Sequence, residues 1–157
     1  QENSKLPDGK SLYTTGCLGK ITRYNETDDG RYLINLNGII RFNIKEELKT
    51  NEKFREFNVS YENFSGDFIK NYKTSINKND FLKEAQAYLS NNDINIDWGL
   101  IKEVDQTLLI TALASICPFS IAEKQMLLEC RDENDIANKM ISLFKMNLNN
   151  NQANSIN

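Results

Sequence analysis

The chain has 157 residues, of which 39% are hydrophobic and 26% charged, and its net charge is −3. This length suits one domain or two small lobes that share a core. The acidic balance disfavours general nucleic-acid binding, and no apolar run approaches the roughly 20 residues that a membrane span requires.

The start of the chain and its cysteines bear on processing and location. The sequence begins at Gln1 rather than Met and shows no signal peptide, which predicts a processed product, an internal start or the remainder of a longer product. Cys17, Cys117 and Cys130 lie far apart without a Cys-x-x-Cys pair. We therefore expect buried thiols in a reducing, cytoplasmic compartment rather than disulfides or a zinc site.

The first half of the chain predicts a β-meander. Residues 12–24 predict one or two strands, with a bend or bulge at Gly16 and Gly19. Asp28-Asp29-Gly30 predicts a tight hairpin turn, because Asp-Gly supplies the positive φ that such turns need. Residues 54–61 predict the last strand.

Between these strands, the stretch from Tyr32 to Ile44 alternates apolar even positions with mostly polar odd positions. Period two predicts that the even side chains face a core and the odd ones water. Gly38 interrupts the pattern, which predicts a bend, a bulge or a short turn between strands over 32–36 and 39–48.

The second half changes to helical spacing. Asn79 or Asp80 should cap a first helix, Asp97 a short helix that carries Trp98, and Asp105 a longer helix. The longer helix should bury a broad apolar face made of Leu108, Leu109, Ala112, Leu113 and Ile116.

Two more helices follow. Pro118 should end the preceding helix, because the residue before a proline is pushed out of the helical region. Ser120 and Glu123 form a predicted capping box that opens the next helix. The last helix should bury a stripe made of Ile136, Met140, Ile141, Leu143 and Phe144.

Strands followed by helices predict an α+β architecture, in which a partial β-barrel of short strands precedes a bundle of about four helices. We expect a β-barrel lobe over 1–64 that lacks its N-terminal part, and a connection over 65–79. A helical lobe over 80–148 and a disordered tail over 149–157 should follow.

Residues that could support catalysis are sparse. The absence of histidine removes Ser-His and Cys-His pairs and histidine metal sites. Gly9-Lys10-Ser11 lacks the upstream glycine of a phosphate-binding loop, and Gly16 and Gly19 lack the following helix of a dinucleotide loop. We predict no catalytic residue, metal or cofactor, although composition alone leaves a Ser-Lys dyad, and hence an uncharacterised enzyme, open.

Three aromatic residues have two interpretations. Trp98, Tyr61 and Phe64 are either core residues or parts of an apolar groove between sheet and bundle, and the core interpretation is favoured.

Two blocks of sequence contain recognisable motifs. They are LYxxGCLGKI from Leu12, DDGRY from Asp28, GIxRF from Gly38, Asp97-Trp98, and PFSxxEKQxLLE from Pro118. Together these motifs resemble the N-terminal domain of Lon proteases, and the resemblance covers residues 12–144.

The resemblance implies a β-barrel like that of pseudouridine synthase and archaeosine transglycosylase (PUA-like), followed by a helical bundle. It also implies a domain that recognises protein substrates and helps subunits associate. The ATPase and Ser-Lys peptidase parts of the protease have no counterpart here, so a stand-alone, non-catalytic binding domain is implied.

Family members usually begin with an apolar, proline-containing strand and an acidic-aromatic motif upstream of the segment that matches Leu12. We therefore expect an open strand edge there, left by truncation or covered by a partner or a second copy.

The leading hypothesis is binding of unfolded or partner protein segments through apolar surface and an exposed strand edge, with self-association through that edge as a further option. The predicted contact residues are Tyr13, Leu33 and Ile39 on the minor apolar face, together with Tyr61, Phe64 and Trp98.

The alternative is an RNA-binding PUA-like module. It would need a single basic face made of Lys20, Arg23, Arg31 and Arg41.

Overall fold

A computed structural model describes residues 12–68 and 75–154, and all its strands precede its helices. The chain divides into two units, Gln1–Lys70 with the strands and Asn71–Asn157 with the helices. The predicted α+β order is therefore confirmed. Residues 69–74 of the predicted connection, residues 155–157 of the predicted tail and the first eleven residues lie outside the described residues.

The first unit contains β1 (Thr15–Glu26), β2 (Tyr32–Leu48) and β3 (Glu56–Ser60), followed by a 3₁₀ helix at Glu62–Phe68. Within the described residues the strands form one antiparallel sheet in the order β1-β2-β3. Residues 32–48 form one continuous strand, so the short turn considered at Gly38 is wrong. Gly38 instead lies opposite Gly19, beside a register shift. A bulge at this point lets β2 bend without ending.

Gly16 shows why one strand position lacks a side chain. Gly16 lies opposite Phe42 in the sheet, and a Cβ at Gly16 would lie 2.6 Å from the Phe42 ring. The same ring meets Tyr61 edge-to-face, with centroids 6.4 Å apart. Any larger residue at Gly16 would have to displace this aromatic pair.

The second unit contains five helices in its described part: α1 (Lys78–Asn91), α2 (Trp98–Lys102), α3 (Gln106–Ile116), α4 (Ile121–Leu128) and α5 (Glu133–Asn154). The predicted caps at Asp97 and Asp105 and the Ser120–Glu123 capping box are confirmed. The cap predicted for α1 was wrong. Asn77, not Asn79 or Asp80, accepts the backbone N–H bonds at its start.

An aromatic cluster lies at the centre of the helical unit. The Phe144 ring lies 4.9 Å from Tyr88, 5.8 Å from Phe119 and 6.2 Å from Phe81, measured between centroids. All four side chains are buried, and partly buried Ile136, Ile141 and Trp98 pack around this core. The predicted stripe of α5 is therefore in place.

The predicted face of α3 is only partly right. Leu109 and Leu113 are buried as expected, but Ile110 is buried as well, whereas Leu108 and Ile116 are exposed. The helix has no charged residue. Its pattern therefore could not fix which apolar side faces the core.

Candidate functional site

The outer half of the β1–β2 hairpin carries a continuous apolar surface. Ile21 pairs with Leu36 and Tyr24 with Ile34, and Tyr32 at the start of β2 pairs with Glu26, which borders this surface. Residues directly opposite in an antiparallel pair project to the same side of the sheet. We call this surface, made of Ile21, Tyr24, Tyr32, Ile34 and Leu36, the apolar hairpin face. Its side chains are 47% to 69% exposed.

The other side of the same two strands is mostly polar. Lys20 lies opposite Asn37, and Arg23 lies opposite Asn35. Leu33 is the large apolar exception on this side. The outer hairpin is therefore amphipathic although both of its sides are exposed, and the apolar side faces solvent instead of a core.

One irregularity explains why the predicted alternation does not match the observed burial. The strand register shifts between Leu18 and Gly19, which leaves Ile39 of β2 as an extra residue. A single extra residue reverses the sides to which later side chains point. Ile40 beyond the bulge is buried, at 3% exposure, whereas Ile34 and Leu36 before it are exposed. The prediction that all even positions from 32 to 44 face one core was therefore wrong.

The base of the hairpin is fixed by an ion pair. The Arg41 Nε and Nη2 donate to Asp67 at 2.9 and 2.6 Å, and the Arg41 backbone N–H donates to Asp67 Oδ2 at 3.1 Å. The Arg41 guanidinium also lies 4.5 Å from the centroid of the buried Phe64 ring. Burial raises the pKa of Asp67, but the bonds from Arg41 outweigh it and hold that pKa below its ordinary value.

The tip of the hairpin is ordered by polar contacts. Gly30 has φ of +77°, and the Thr27 N–H donates to the Arg31 carbonyl at 2.8 Å. Arg31 Nε donates to Asp29 at 2.7 Å. Hydrogen bonds from Arg31 and then Thr27 lower the pKa of Asp29 to about 2. The predicted Asp-Gly turn is confirmed, and the tip is held by polar contacts.

Within the first unit, the structure does not gather the predicted contact residues into one surface. Tyr13, Leu33, Ile39 and Tyr61 are exposed, but Leu33 lies on the polar side of the outer hairpin and Ile39 lies in the bulge. Phe64 is 5% exposed and lies under the Arg41 guanidinium, so its inclusion in a contact surface is corrected. Trp98 is partly buried against the helical core.

Sequence reasoning missed the apolar hairpin face because it assigned Tyr32, Ile34 and Leu36 to a core and assigned Ile21 and Tyr24 to neither side of the sheet. The available signal was the missing charge: segment 32–40 contains no charged residue and no proline. Natural exposed strand edges are usually blunted by such residues.

The four basic residues of the RNA alternative do not share a surface. Lys20 and Arg23 lie on the polar side of the outer hairpin, whereas Arg31 pairs with Asp29 at the tip. Arg41 is held by Asp67 at the base. Two of the four charges are thus compensated by carboxylates.

A large apolar surface left exposed is typical of an interaction site. A sequence model of the ATP-dependent protease La (LON) substrate-binding domain matches residues 1–145. The match spans most of the chain, which therefore belongs to this family of substrate-binding domains. The domain of the protease that this family describes is a non-catalytic one.

One solved structure supports the same fold. The crystal structure of a Lon N-terminal domain protein from Xanthomonas campestris matches with a TM-score of 0.57 and 16% sequence identity. The match covers 87% of this chain and 71% of that chain. No curated protein matches this sequence significantly. Within the described residues, no helix combines the length and apolar character needed to cross a membrane.

Proposed function

We propose that this chain binds extended segments of protein substrates on the apolar hairpin face and along the adjacent edge of β2. The observation that carries the proposal is the exposure of five large apolar side chains on one side of two paired strands. Each side chain covered by a substrate would remove apolar area from water, at roughly 25 cal/mol per Å². No chemical step is part of this function.

The edge of β2 suits an added strand. From Asn43 onward β2 pairs with β3, but no strand among residues 12–68 pairs with that edge before Asn43. The Thr22 hydroxyl, on β1, donates to the Asn35 carbonyl at 3.3 Å. Asn35 therefore points its backbone groups toward β1, and its neighbours Ile34 and Leu36 point theirs toward the open edge.

An extended substrate segment could therefore form main-chain hydrogen bonds with this edge while its apolar side chains contact the face. Main-chain bonds are independent of sequence, and the face selects only for apolar character. This combination supports recognition of many unfolded proteins rather than of one motif.

The test is binding of a permanently unfolded protein, such as reduced and carboxymethylated α-lactalbumin, measured by fluorescence anisotropy. The double variant Ile34→Thr/Leu36→Thr places a β-branched residue at both strand positions and removes apolar surface. We expect its affinity to fall about tenfold, since each substitution removes on the order of 1 kcal/mol of apolar contact.

The matched control is Asn35→Thr/Asn37→Thr, which introduces the same residue type on the opposite side of the same strand. Its affinity should remain within about twofold of the original chain. Absence of binding by the original chain, or equal losses in both double variants, would reject the proposal.

A further inference from the structure

We propose that the apolar hairpin face ends in a subsite for an arginine side chain, made of the Glu26 carboxylate and the rings of Tyr24 and Tyr32. The subsite rests on the proposed function, because it determines which extended segments the face would prefer. The preferred segment has alternating apolar side chains followed by an arginine, which would lie at the end of the face nearest the hairpin tip.

The three side chains of the subsite share one side of the hairpin. Within the paired residues 20–26 and 32–37, Glu26 is the one charged residue that projects to the same side as the apolar hairpin face. It lies directly opposite Tyr32 and two positions after Tyr24 on β1. Tyr24 and Tyr32 are 69% and 62% exposed, and Glu26 is exposed as well. Neighbours at these strand positions can contact one bound group together.

The cations of the described hairpin are directed away from Glu26. The Arg31 Nη2 lies 2.5 Å from Asp29 Oδ2, and the Arg31 Nε donates to the same oxygen at 2.7 Å. Lys20 and Arg23 project to the other side of the strands. Water therefore solvates the Glu26 carboxylate, and a segment that covered it with apolar groups would remove this hydration without replacing it.

An arginine side chain suits a carboxylate between two aromatic rings. Its guanidinium fork can donate two parallel hydrogen bonds to Glu26, and its planar head stacks on aromatic faces such as those of Tyr24 and Tyr32. Lysine supplies the charge but not the planar fork. A neutral side chain would leave a dehydrated carboxylate without a charged partner. The subsite therefore favours arginine over lysine, and either cation over a neutral residue.

The open edge of β2 places an arginine within reach of Glu26. A strand added at this edge would lie about 4.8 Å from β2, so that Glu26 on β1 would be about 10 Å from the added strand. An arginine opposite Tyr32 would lay its apolar stem across that ring and bring its charged head to the carboxylate. The main-chain hydrogen bonds and the arginine contact can therefore form in the same complex.

The test compares fluorescein-labelled peptides with blocked ends, in which apolar and polar residues alternate and one flanking residue is either arginine or citrulline. Citrulline has nearly the shape of arginine without its charge. Fluorescence anisotropy with the whole chain at neutral pH gives both affinities. We expect the arginine peptide to bind about fivefold more tightly, which is the upper end of what an exposed ion pair contributes. A lysine peptide should bind with intermediate affinity.

Two substitutions that remove the same charge locate the contact. Glu26→Gln should bring the affinities of the arginine and citrulline peptides within about twofold of each other. Asp28→Asn is the matched control, because Asp28 lies in the turn and not on the paired strands, and it should preserve the preference. Tyr32→Leu keeps an apolar side chain but removes the ring, and it should lower the preference about twofold. Circular dichroism spectra of all three variants should match that of the original chain.

Equal affinities of the original chain for the arginine and citrulline peptides would overturn the inference and leave the proposed function intact. An arginine preference that survives Glu26→Gln, or that Asp28→Asn weakens to the same extent, would also overturn it. The attraction would then come from the net charge of −3 and not from the subsite. Failure of both peptides and of carboxymethylated α-lactalbumin to bind would instead reject the proposed function, and the subsite with it.

Discussion

The core of the helical unit and the outer hairpin contain the same kinds of side chain in opposite surroundings. Phe81, Tyr88 and Phe144 are almost fully buried by neighbouring helices, whereas Tyr24 and Tyr32 on the hairpin are more than half exposed. Apolar composition therefore does not decide which residues form a core. The decisive property is whether another element of the described chain packs against them.

The same contrast divides the hairpin itself. Its base is closed by Ile40, Phe64 and the Arg41–Asp67 pair, and its outer half extends beyond this support. A buried base restricts the motion of the exposed apolar hairpin face, and a surface that is already ordered loses less conformational entropy when it binds a partner.

The largest expected effect is a loss of stability in the helical core, which is the buried region of this comparison. Phe144→Ala should lower the free energy of unfolding by about 4 kcal/mol, because it opens a cavity among three aromatic rings. Ile34→Ala on the hairpin face should change it by less than about 0.5 kcal/mol. Urea denaturation followed by circular dichroism would measure both. A comparable loss for Ile34→Ala, in dilute chain, would show that the hairpin face is buried in solution.

A smaller loss of stability is expected at the base of the hairpin, where its supported and exposed halves meet. Asp67→Asn should cost about 1.5 kcal/mol at neutral pH, because the Arg41 side chain, 12% exposed, loses its charged partner. Asp28→Asn at the tip is the matched control and should be nearly neutral.

The pH dependence of this loss has a defined sign. The pKa of Asp67 in the folded chain lies below its ordinary value of 3.8, so its contribution to stability is present above that value. The contribution disappears as the pH falls through the folded pKa. The difference between the original chain and Asp67→Asn should therefore shrink below about pH 3.8. A difference that persists unchanged at lower pH would show that Asp67 acts by packing alone.

The smallest effect concerns the three thiols and should leave stability unchanged. Burial raises the pKa of Cys117 to about 12, and Cys130 is equally inaccessible, whereas Cys17 is exposed on the hairpin. A thiol reagent should modify one cysteine in the native chain and three after denaturation. Cys17→Ser should remove the native reaction without shifting the unfolding midpoint. Rapid native modification of Cys117 or Cys130 would contradict the packing of the helical core.

Local chemistry explains the elements that could be predicted. The caps at Asp97 and Asp105, the Ser120–Glu123 box and the Asp-Gly turn each depend on a few neighbouring residues. Such signals survive without tertiary context because their hydrogen bonds close within three or four residues. The motifs shared with the Lon N-terminal domain are also short stretches of sequence, and the family match confirms the resemblance.

The candidate site could not be predicted in this way. The alternation from Tyr32 to Ile44 indicated one side facing a core, but the extra residue at Ile39 reversed that side partway along β2. Phe64 was expected in a contact surface, yet it is buried, and the guanidinium of Arg41, from a different element, lies over its ring. Both outcomes depend on partners remote in sequence or on a one-residue shift in pairing, which periodicity does not register.

The sequence by itself determined the order of strands and helices, the positions of most caps, the hairpin turn and the family, because these follow from local hydrogen bonding and short motifs. Only the tertiary structure decided which apolar stripe is buried and which is exposed. The physical reason is that a side chain is buried only when another element packs against it. Phe144 has three aromatic neighbours, whereas no described element packs over Ile34 and Leu36. The surface proposed to bind substrate is therefore visible only once the strands are paired in register.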